Sequence, residues 1–430
     1  MNKKIRFCRQ LAEWFLVSDW HYSTLLAVFI DVADELPGDA DDLVSELLAE
    51  FDTKPELNPI VDYLMQSLRL GCWFYDDHGP RVVPVCLINS QLSRLSNDAL
   101  PVLNTESDVA NWLNVSIQEL TWLAELYRLD PTSPSYFKHY HYSIAKKRNG
   151  SPRLIESPKS RLRAIQRKVY SEILDHAVIH DSAHGFLKGK GCKTHASQHS
   201  GKDILFTFDL SHYFHSIRWP NVYAIFSGLG YTNSVSKILT ALTTHRCYMK
   251  DRCLGELDTD HRSLLRERHL PQGAPTSPSL SNAVLYFLDC RLSGLAASLN
   301  MKYSRYADDL AFSGDTGRDW RFLEPLVGSI CLEQGFRLNH RKTRIMKSHQ
   351  KQRLTGVVVN TKPNVDRKHY DRLKATLTNC LRHGLESQNR DNHPDFFAYL
   401  EGSIAHVGHL NSARGKTLKA MYDRVIATQG

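Results

Sequence analysis

Apolar residues follow a helical spacing in the first hundred residues and an alternating spacing further along the chain. They recur every three or four positions in "STLLAVFIDVADEL" and "DDLVSELLAEF", which predicts amphipathic helices. From residue 139 the stretch "YHYSIAKKRNGSPRLIESP" alternates around Asn149-Gly150, a strong signal for a β-hairpin. The helical spacing returns in "RKHYDRLKATLTNCLRHG" near the C-terminus. The pattern therefore predicts a helical N-terminal module that gives way near residue 130 to a segment with strands.

Two strand-like stretches carry carboxylates in an otherwise apolar setting. "DILFTFDL" ends at Asp209, and "SRYADDLAFSG" sets Asp308 beside Asp309. Taken alone, Asp209 is more typical of a cap for the following turn. A hairpin with the adjacent pair at its turn, laid beside the first strand, would gather three carboxylates whose mutual repulsion calls for a cation. Two magnesium ions about 3.5–4 Å apart can stabilise both oxygens that are exchanged in a phosphoryl transfer, so these aspartates predict the metal site of a nucleotide polymerase.

Charge is divided unevenly along the chain. Residues 1–130 hold 9 Lys and Arg against 21 Asp and Glu, a net of −12, whereas residues 131–430 hold 45 against 25, a net of +20. A predicted helix after the hairpin carries four basic residues off its apolar face: Arg161, Arg163, Arg167 and Lys168. Such a surface suits contact with the phosphates of RNA, although a solvated basic face explains the charge alone. The acidic module instead favours contact with protein.

Cysteine usage and hydropathy narrow the class of protein. Nine cysteines occur without a CxxC pair. Two cysteines and three histidines lie close together in sequence: Cys247, Cys253, His245, His261 and His269. Their spacing matches no standard site, so the sequence does not predict zinc binding, and scattered cysteines are typical of a reduced compartment. Because no apolar run approaches the roughly 18 residues of a membrane span, and no secretion signal is present, we expect a cytoplasmic protein with no membrane partner.

In order and spacing, the motifs resemble those of bacterial reverse transcriptases, and among these the retron type. "FDLSHYFHSI" is similar to the family's first catalytic motif, "LPQGAPTSPSLSN" to its template-and-nucleotide loop and "YADD" to its catalytic hairpin. "FRLNHRKTRIM" resembles the lysine-bearing segment that follows, and "RLTGVVVN" the strand that leads to the thumb. The resemblance implies an α+β right-hand polymerase, with fingers and palm in 131–358 and a helical thumb in 359–430. The N-terminal extension would be 1–130.

The resemblance also implies roles for individual residues. Asp209, Asp308 and Asp309 would hold two Mg²⁺ ions. Lys342 would protonate the departing pyrophosphate, unless it is an ordinary surface lysine of a turn. Phe214 would select deoxynucleotides by its bulk against a ribose 2′-OH, or would simply pack. The residues implied to contact the incoming nucleotide are Arg153, Lys147, Gln272 and Gly273.

Two further segments resemble retron features. "HASQH" stands where retron enzymes have an NAxxH motif, and Leu354-Thr355-Gly356 stands where they have a VTG-type motif; each departs at its first residue. By this resemblance His195 and His199 would contact RNA. The thumb would do so through Arg367, Lys374 and Arg382.

The implied function is synthesis of DNA from dNTPs on a cognate structured non-coding RNA, which serves as both template and primer. The product would be RNA-linked single-stranded DNA, used in anti-phage defence with a partner effector protein. A defence reverse transcriptase of a non-retron group, with different template or priming, is the main alternative. A group II intron-type maturase and an inactive RNA-binding scaffold are weaker ones, and the intact carboxylates argue against the scaffold.

Overall fold

The computed structural model describes residues 3–18, 20–32, 40–66, 100–125, 132–146, 150–315 and 320–428. Its helices are α1 (Lys3–Val17), α2 (Tyr22–Val32), α3 (Ala40–Glu50), α4 (Leu57–Gln66), α5 (Glu106–Leu113), α6 (Ile117–Leu123), α7 (Ser160–Glu172), α8 (Cys192–Gln198), α9 (Trp219–Gly228), α10 (Asn233–Thr243), α11 (Thr259–Leu265), α12 (Ser277–Val284), α13 (Tyr286–Ser298), α14 (Leu323–Glu333), α15 (Arg367–His383), α16 (Phe396–Leu410) and α17 (Ser412–Ala427). Its strands are β1 (Tyr140–Lys146), β2 (Pro152–Pro158), β3 (Ile204–Asp209), β4 (Lys302–Tyr306), β5 (Asp309–Gly314), β6 (Arg344–Lys347), β7 (Arg353–Leu354) and β8 (Val357–Val358). Lys147 and Asn149 lie outside the described residues.

The chain forms two compact units, each assembled from several stretches of sequence. The first comprises Met1–His176, Phe214–Ser277 and Glu333–Gly335. The second comprises Ala177–Tyr213, Pro278–Leu332 and Phe336–Gly430. The division at residues 130 and 358 stays a prediction.

In the first unit, α1 to α4 pack around a core of their own. Phe7, Leu11 and Phe15 are fully buried and follow one another at intervals of four residues, which places them on one face of α1. They belong to one cluster with Leu25 and Leu47 of the neighbouring helices. The helices predicted from apolar spacing in this region are found as α2 and α3.

The predicted hairpin of the first unit is formed by β1 and β2. The strands are antiparallel, with Tyr140 opposite Pro158 and Lys146 opposite Pro152. The hairpin leads into α7, which buries its apolar face through Leu162, Ile165 and Val169.

The second unit is built on a four-stranded antiparallel sheet in the order β4-β5-β3-β6. Leu205, Phe206 and Phe208 of β3 are buried, as expected for a short continuous apolar run in the middle of a sheet. Helices α15, α16 and α17 extend this core, because Leu377 and Leu400 share a cluster with Leu205. Within the described ranges, no helix is both long and apolar enough to cross a membrane.

Candidate active site

Asp209 and Asp309 face each other across two strands of the second unit. Asp209 is the last residue of β3, Asp309 is the first of β5, and the register pairs them directly. Residues opposed in this way have Cα atoms about 4.5–5.5 Å apart. Asp308 stands next to the pair, and its carbonyl accepts a hydrogen bond from the amide of Leu210 at 3.0 Å. The structure therefore brings the three carboxylates to one end of the sheet.

A strained two-residue turn presents the acidic pair. Only Ala307 and Asp308 connect β4 to β5. Ala307 has a φ of +55°, in the left-handed region that residues with a side chain rarely adopt, at a cost of about 1–3 kcal/mol. Gly185 lies against the turn, and a Cβ at that position would stand 2.6 Å from the nitrogen of Ala307. The close approach requires glycine at position 185.

Arg305 supports the same turn from within the second unit. Its side chain is fully buried, and Nε and Nη2 donate to Oδ1 and Oδ2 of Asp289 at 2.9 and 2.7 Å. Nη1 donates to the carbonyl of Ala307 at 3.1 Å and to Oδ1 of Asn282 at 3.0 Å. It also lies 3.2 Å from the hydroxyl of Tyr213. One guanidinium group thus ties the turn to α12 and α13.

The carboxylates repel one another and are only partly compensated. Burial raises the pKa of Asp309 to about 7, reinforced by the charges of Asp308 and Asp209 and opposed by Lys342. Lys342 donates from Nζ to Oδ1 of Asp209 at 2.6 Å. Asn339 donates to the other oxygen of that carboxylate at 3.4 Å. Because the neighbouring carboxylates add to the effect of burial on the pKa of Asp309, a cation placed at this end of the sheet would relieve their repulsion.

This donor set suits hard divalent cations. All three candidate ligands are carboxylates, the oxygen donors that such ions prefer. Asp308 and Asp309 are half-buried, so a substrate phosphate can reach an ion held beside them. The ammonium group of Lys342 already places one positive charge on Asp209.

The residues predicted to contact the nucleotide belong to the first unit, apart from Lys147, which is outside the described residues. Arg153 is exposed on β2, and Phe214 is half-buried. The carbonyl of Gln272 accepts a hydrogen bond from the amide of Glu156 at 2.9 Å. Gly273 has a φ of +139°, and a Cβ there would stand 2.8 Å from the carbonyl oxygen of Glu156. The loop that carries Gln272 and Gly273 is therefore held against β2, the strand that bears Arg153.

His195 and His199 are fully buried in the second unit, which corrects the prediction that they contact RNA. His199 bonds through its two ring nitrogens to the hydroxyls of Ser313 and Ser304, at 2.7 and 2.8 Å. His195 shares the hydroxyl of Ser304 at 2.7 Å. Burial lowers the pKa of His199 to about 3 and lowers that of His195 as well, so both imidazoles are neutral. They attach the end of α8 to the sheet.

Two of the four basic residues on α7 are engaged by the protein itself. Arg161 donates to Oε1 of Glu119 at 2.6 Å, and Lys168 donates to the carbonyl of Trp112 at 2.6 Å. Arg163 and Arg167 form no ion pair with any residue that the structure describes. RNA contact by α7 stays a prediction.

The basic residues predicted on the thumb lie exposed on α15. They are Arg367, Lys374 and Arg382. Spacings of seven and eight residues place them on one face of the helix. Arg367 also pairs with the exposed Asp371 one turn later, at 3.5 Å.

Asn339 and Arg305 belong to the site but were not predicted. The amide of Asn339 also donates to the carbonyl of Asp209 at 2.7 Å. Its position three residues before Lys342, inside "FRLNHRKTRIM", is the signal that could have found it. Arg305 gives no such signal, since an arginine in a strand is normally exposed.

Comparison with known proteins identifies relatives over most of the chain. The family described as "Reverse transcriptase (RNA-dependent DNA polymerase)" matches residues 144–359. Retron Mx65 reverse transcriptase of Myxococcus xanthus is 35% identical over 326 residues, which cover 76% of this chain and 73% of its own. Retron Mx162 reverse transcriptase of the same organism is 31% identical over 353 residues, covering 78% and 70%. Retron Ec86 reverse transcriptase of Escherichia coli is 30% identical over 286 residues, covering 66% and 80%.

Among solved structures, a foamy viral protease-reverse transcriptase in complex with double-stranded DNA matches 67% of this chain and 43% of its own. The identity is 15% and the TM-score 0.32, which is too low to establish a shared fold. The family match and the three retron enzymes carry the assignment instead, and they confirm the class predicted from the motifs. The chain belongs to the retron-type reverse transcriptases and is an RNA-directed DNA polymerase.

Proposed function

We propose that Asp209, Asp308 and Asp309 together bind two Mg²⁺ ions and form the polymerase centre. The observation that carries this proposal is the direct pairing of Asp209 with Asp309 across β3 and β5. Reverse transcriptases as a family depend on divalent metal. When bound, the ions would activate the 3′-hydroxyl of the primer and stabilise the charge on the departing pyrophosphate.

Lys342 acts on the leaving group in this proposal. Its side chain is 48% exposed although Nζ lies on Asp209, so it can turn toward a bound triphosphate. A positioned ammonium group can then donate a proton to the departing oxygen. Asn339 continues to orient Asp209 through the backbone hydrogen bond to its carbonyl.

The first unit recognises the incoming dNTP. Arg153 contacts the triphosphate, and Lys147 assists it. Phe214 excludes the 2′-OH of a ribonucleotide by its bulk. Gln272 and Gly273 line the nascent base pair, and their attachment to β2 gives that surface a fixed position relative to Arg153.

The template is a cognate structured non-coding RNA, which also supplies the priming hydroxyl. Arg367, Lys374 and Arg382 track its phosphates along α15, the thumb helix. The product is RNA-linked single-stranded DNA, used in anti-phage defence with an effector protein. Support comes from the retron enzymes to which this chain is similar over more than 280 residues each.

The test combines an inactivated variant with the identity of the bound nucleic acid. Asp308→Ala with Asp309→Ala should abolish Mg²⁺-dependent dNTP incorporation while RNA binding persists, because no basic residue is removed. Sequencing of the nucleic acid that co-purifies with the active enzyme should reveal a branched RNA–DNA species. An active double variant would contradict the assignment of the carboxylates. A linear product primed by protein or by another RNA would contradict the retron function and leave the polymerase centre standing.

A further inference from the structure

The first unit contains a second cluster of ligand-type side chains, which shares no residue with the three aspartates. Its members are Glu156, His215, His261 and His269. Glu156 and His269 are completely buried, and His215 and His261 are 3% and 8% exposed. Ligand atoms of Glu156, His215 and His269 all lie within 4.8 Å of one another. We refer to Glu156, His215 and His269, without His261, as the Glu-His-His cluster.

Both imidazoles approach the same oxygen of the carboxylate. Nε2 of His269 lies 2.9 Å from Oε2 of Glu156, and Nε2 of His215 lies 3.3 Å from it. Oε1 of Glu156 has no hydrogen-bond partner among the described residues and is buried. A buried carboxylate oxygen without a partner costs about 1–3 kcal/mol or more. The contacts of both imidazoles with Oε2 therefore leave the other carboxylate oxygen of this cluster unsatisfied.

The far side of each imidazole is already held. Nδ1 of His269 lies 2.8 Å from the carbonyl of Glu267, which can only accept, so Nδ1 carries the proton. Nδ1 of His215 lies 2.9 Å from Nε2 of His261. Histidines that bind metals characteristically donate their other ring nitrogen to a carbonyl or a similar acceptor, which orients the ring. With Nδ1 protonated, Nε2 of His269 presents its lone pair toward Glu156 when the ring is neutral.

We propose that the Glu-His-His cluster binds one Zn²⁺ ion, with Nε2 of His215, Nε2 of His269 and the carboxylate of Glu156 as ligands. Tetrahedral zinc with bonds of about 2.0–2.2 Å separates neighbouring ligand atoms by about 3.3–3.5 Å. The 3.3 Å between Nε2 of His215 and Oε2 of Glu156 matches this spacing, and the 2.9 Å between Nε2 of His269 and Oε2 would have to lengthen slightly on binding. If the carboxylate binds the ion through both oxygens, Oε1 also gains a partner. Two imidazoles favour zinc over magnesium or calcium, which prefer oxygen ligands.

The linear sequence conceals this site because its ligands come from three separate segments. Glu156 lies on β2, His215 follows Phe214, and His269 lies three residues before Gln272. Zinc would fix the loop that contains Gln272 to β2, adding to the hydrogen bond that Gln272 accepts from the amide of Glu156. The expected effect of zinc on dNTP binding rests on the proposed polymerase function, whereas the existence of the zinc site is independent of it.

The test measures metal directly in the full-length protein. Wild-type protein purified without chelator should contain about one zinc per chain by mass spectrometry. After zinc is stripped, titration with Co²⁺ should give the visible absorption of a tetrahedral site with nitrogen and oxygen ligands. Glu156→Gln and His269→Gln should lose both signals, and His261→Gln should weaken metal affinity about 10–100-fold.

His245→Gln is the matched control. His245 is another buried histidine of the first unit, and its Nδ1 lies 3.3 Å from Oε2 of Glu125, whose other oxygen accepts a hydrogen bond from the backbone amide of His139. This variant should keep its zinc, and so should Asp308→Ala with Asp309→Ala, which removes two of the three proposed magnesium ligands. In an activity assay, His269→Gln should raise the KM for dNTPs more than it lowers kcat.

Two results would overturn the proposal. One is wild-type protein that holds no zinc as purified and gives no Co²⁺ spectrum after reconstitution; the cluster would then be a protonated histidine paired with Glu156. The other is a folded His269→Gln variant with unchanged zinc content. The wild-type Co²⁺ spectrum decides the question even if the variants fail to fold, and neither readout depends on polymerase activity.

Discussion

Replacing Arg305 with methionine should destabilise the turn between β4 and β5 and slow polymerisation for two separable reasons. The substitution keeps an unbranched apolar stem but removes every hydrogen bond of the guanidinium. The carboxylate of Asp289 then stays fully buried with the hydroxyl of Tyr303, at 2.7 Å, as its remaining side-chain donor. The carbonyl of Ala307 loses the donor at 3.1 Å that holds the strained turn.

The expected loss of stability follows from the charge on Asp289, which no longer has Arg305 as its partner. Breaking a buried ion pair by removing one partner costs about 3–5 kcal/mol. Neutralising the other partner as well should recover part of that loss, so Arg305→Met with Asp289→Asn should be at least about 1 kcal/mol more stable than Arg305→Met. The rate should not recover, because the carbonyl of Ala307 still lacks its donor in the double variant.

Hydrogen exchange of the amides in 302–314 is the appropriate assay, since the chain has two units and the effect is local. A loss of about 3–5 kcal/mol lowers protection by about two to three and a half powers of ten. Arg344→Met, at an exposed position of the same sheet, is the control and should change stability by less than about 0.5 kcal/mol. The reasoning would be refuted by a loss below about 1 kcal/mol in Arg305→Met, or by a double variant no more stable than the single one.

Three further predictions concern the turn between β4 and β5, the selection of the nucleotide and helix α15. Gly185→Ala should lower kcat about tenfold or more with little change in RNA binding, because a methyl group 2.6 Å from the nitrogen of Ala307 must displace the turn. Single-turnover rates on an RNA template measure this loss of kcat. Phe214→Ala should raise incorporation of ribonucleotides relative to deoxynucleotides, measured as the ratio of the two kcat/KM values; an unchanged ratio would mean that Phe214 only packs. Lys374→Ala with Arg382→Ala should weaken RNA binding, and the logarithm of the binding constant should depend less steeply on the logarithm of the salt concentration. The slope should fall by up to about 2 if each residue neutralises one phosphate. An unchanged slope would mean that α15 does not contact the RNA.

The three aspartates could be singled out from the sequence because a charged residue within an apolar, strand-like run has few structural explanations. Asp209 ends an apolar run and Asp308-Asp309 interrupt another, so a hairpin beside a strand was the simplest arrangement that brings them together. The register that pairs Asp209 with Asp309 could not be predicted, since it depends on which face of β3 meets the core. The hairpin of β1 and β2 was predicted from its turn, a purely local signal.

Predictions failed where a polar side chain has its partner far away in the sequence. His195 lies in the short helix α8 and His199 directly follows it, positions that normally suggest the surface, and yet their shared partner Ser304 lies more than a hundred residues further on. Buried histidines with hydroxyl partners have no characteristic spacing, whereas buried apolar faces do. Tertiary contacts of polar groups therefore decide which basic or polar residues remain available to RNA.

Each unit contains a buried polar network that is hydrogen-bonded to a segment for which we have proposed a role in polymerisation. Arg305 and Asp289 lie behind the turn with Asp308, and the Glu-His-His cluster lies behind the loop with Gln272. Fully satisfied networks of this kind give unique side-chain positions, while a group left without a partner in a low-dielectric interior is costly. Arg305 is satisfied by protein groups alone, but Oε1 of Glu156 has no partner among the described residues. This difference leads us to expect bound metal only in the first unit's network: Arg305→Met should lower kcat at unchanged zinc content, and His269→Gln should lose zinc while the amides of 302–314 keep their protection.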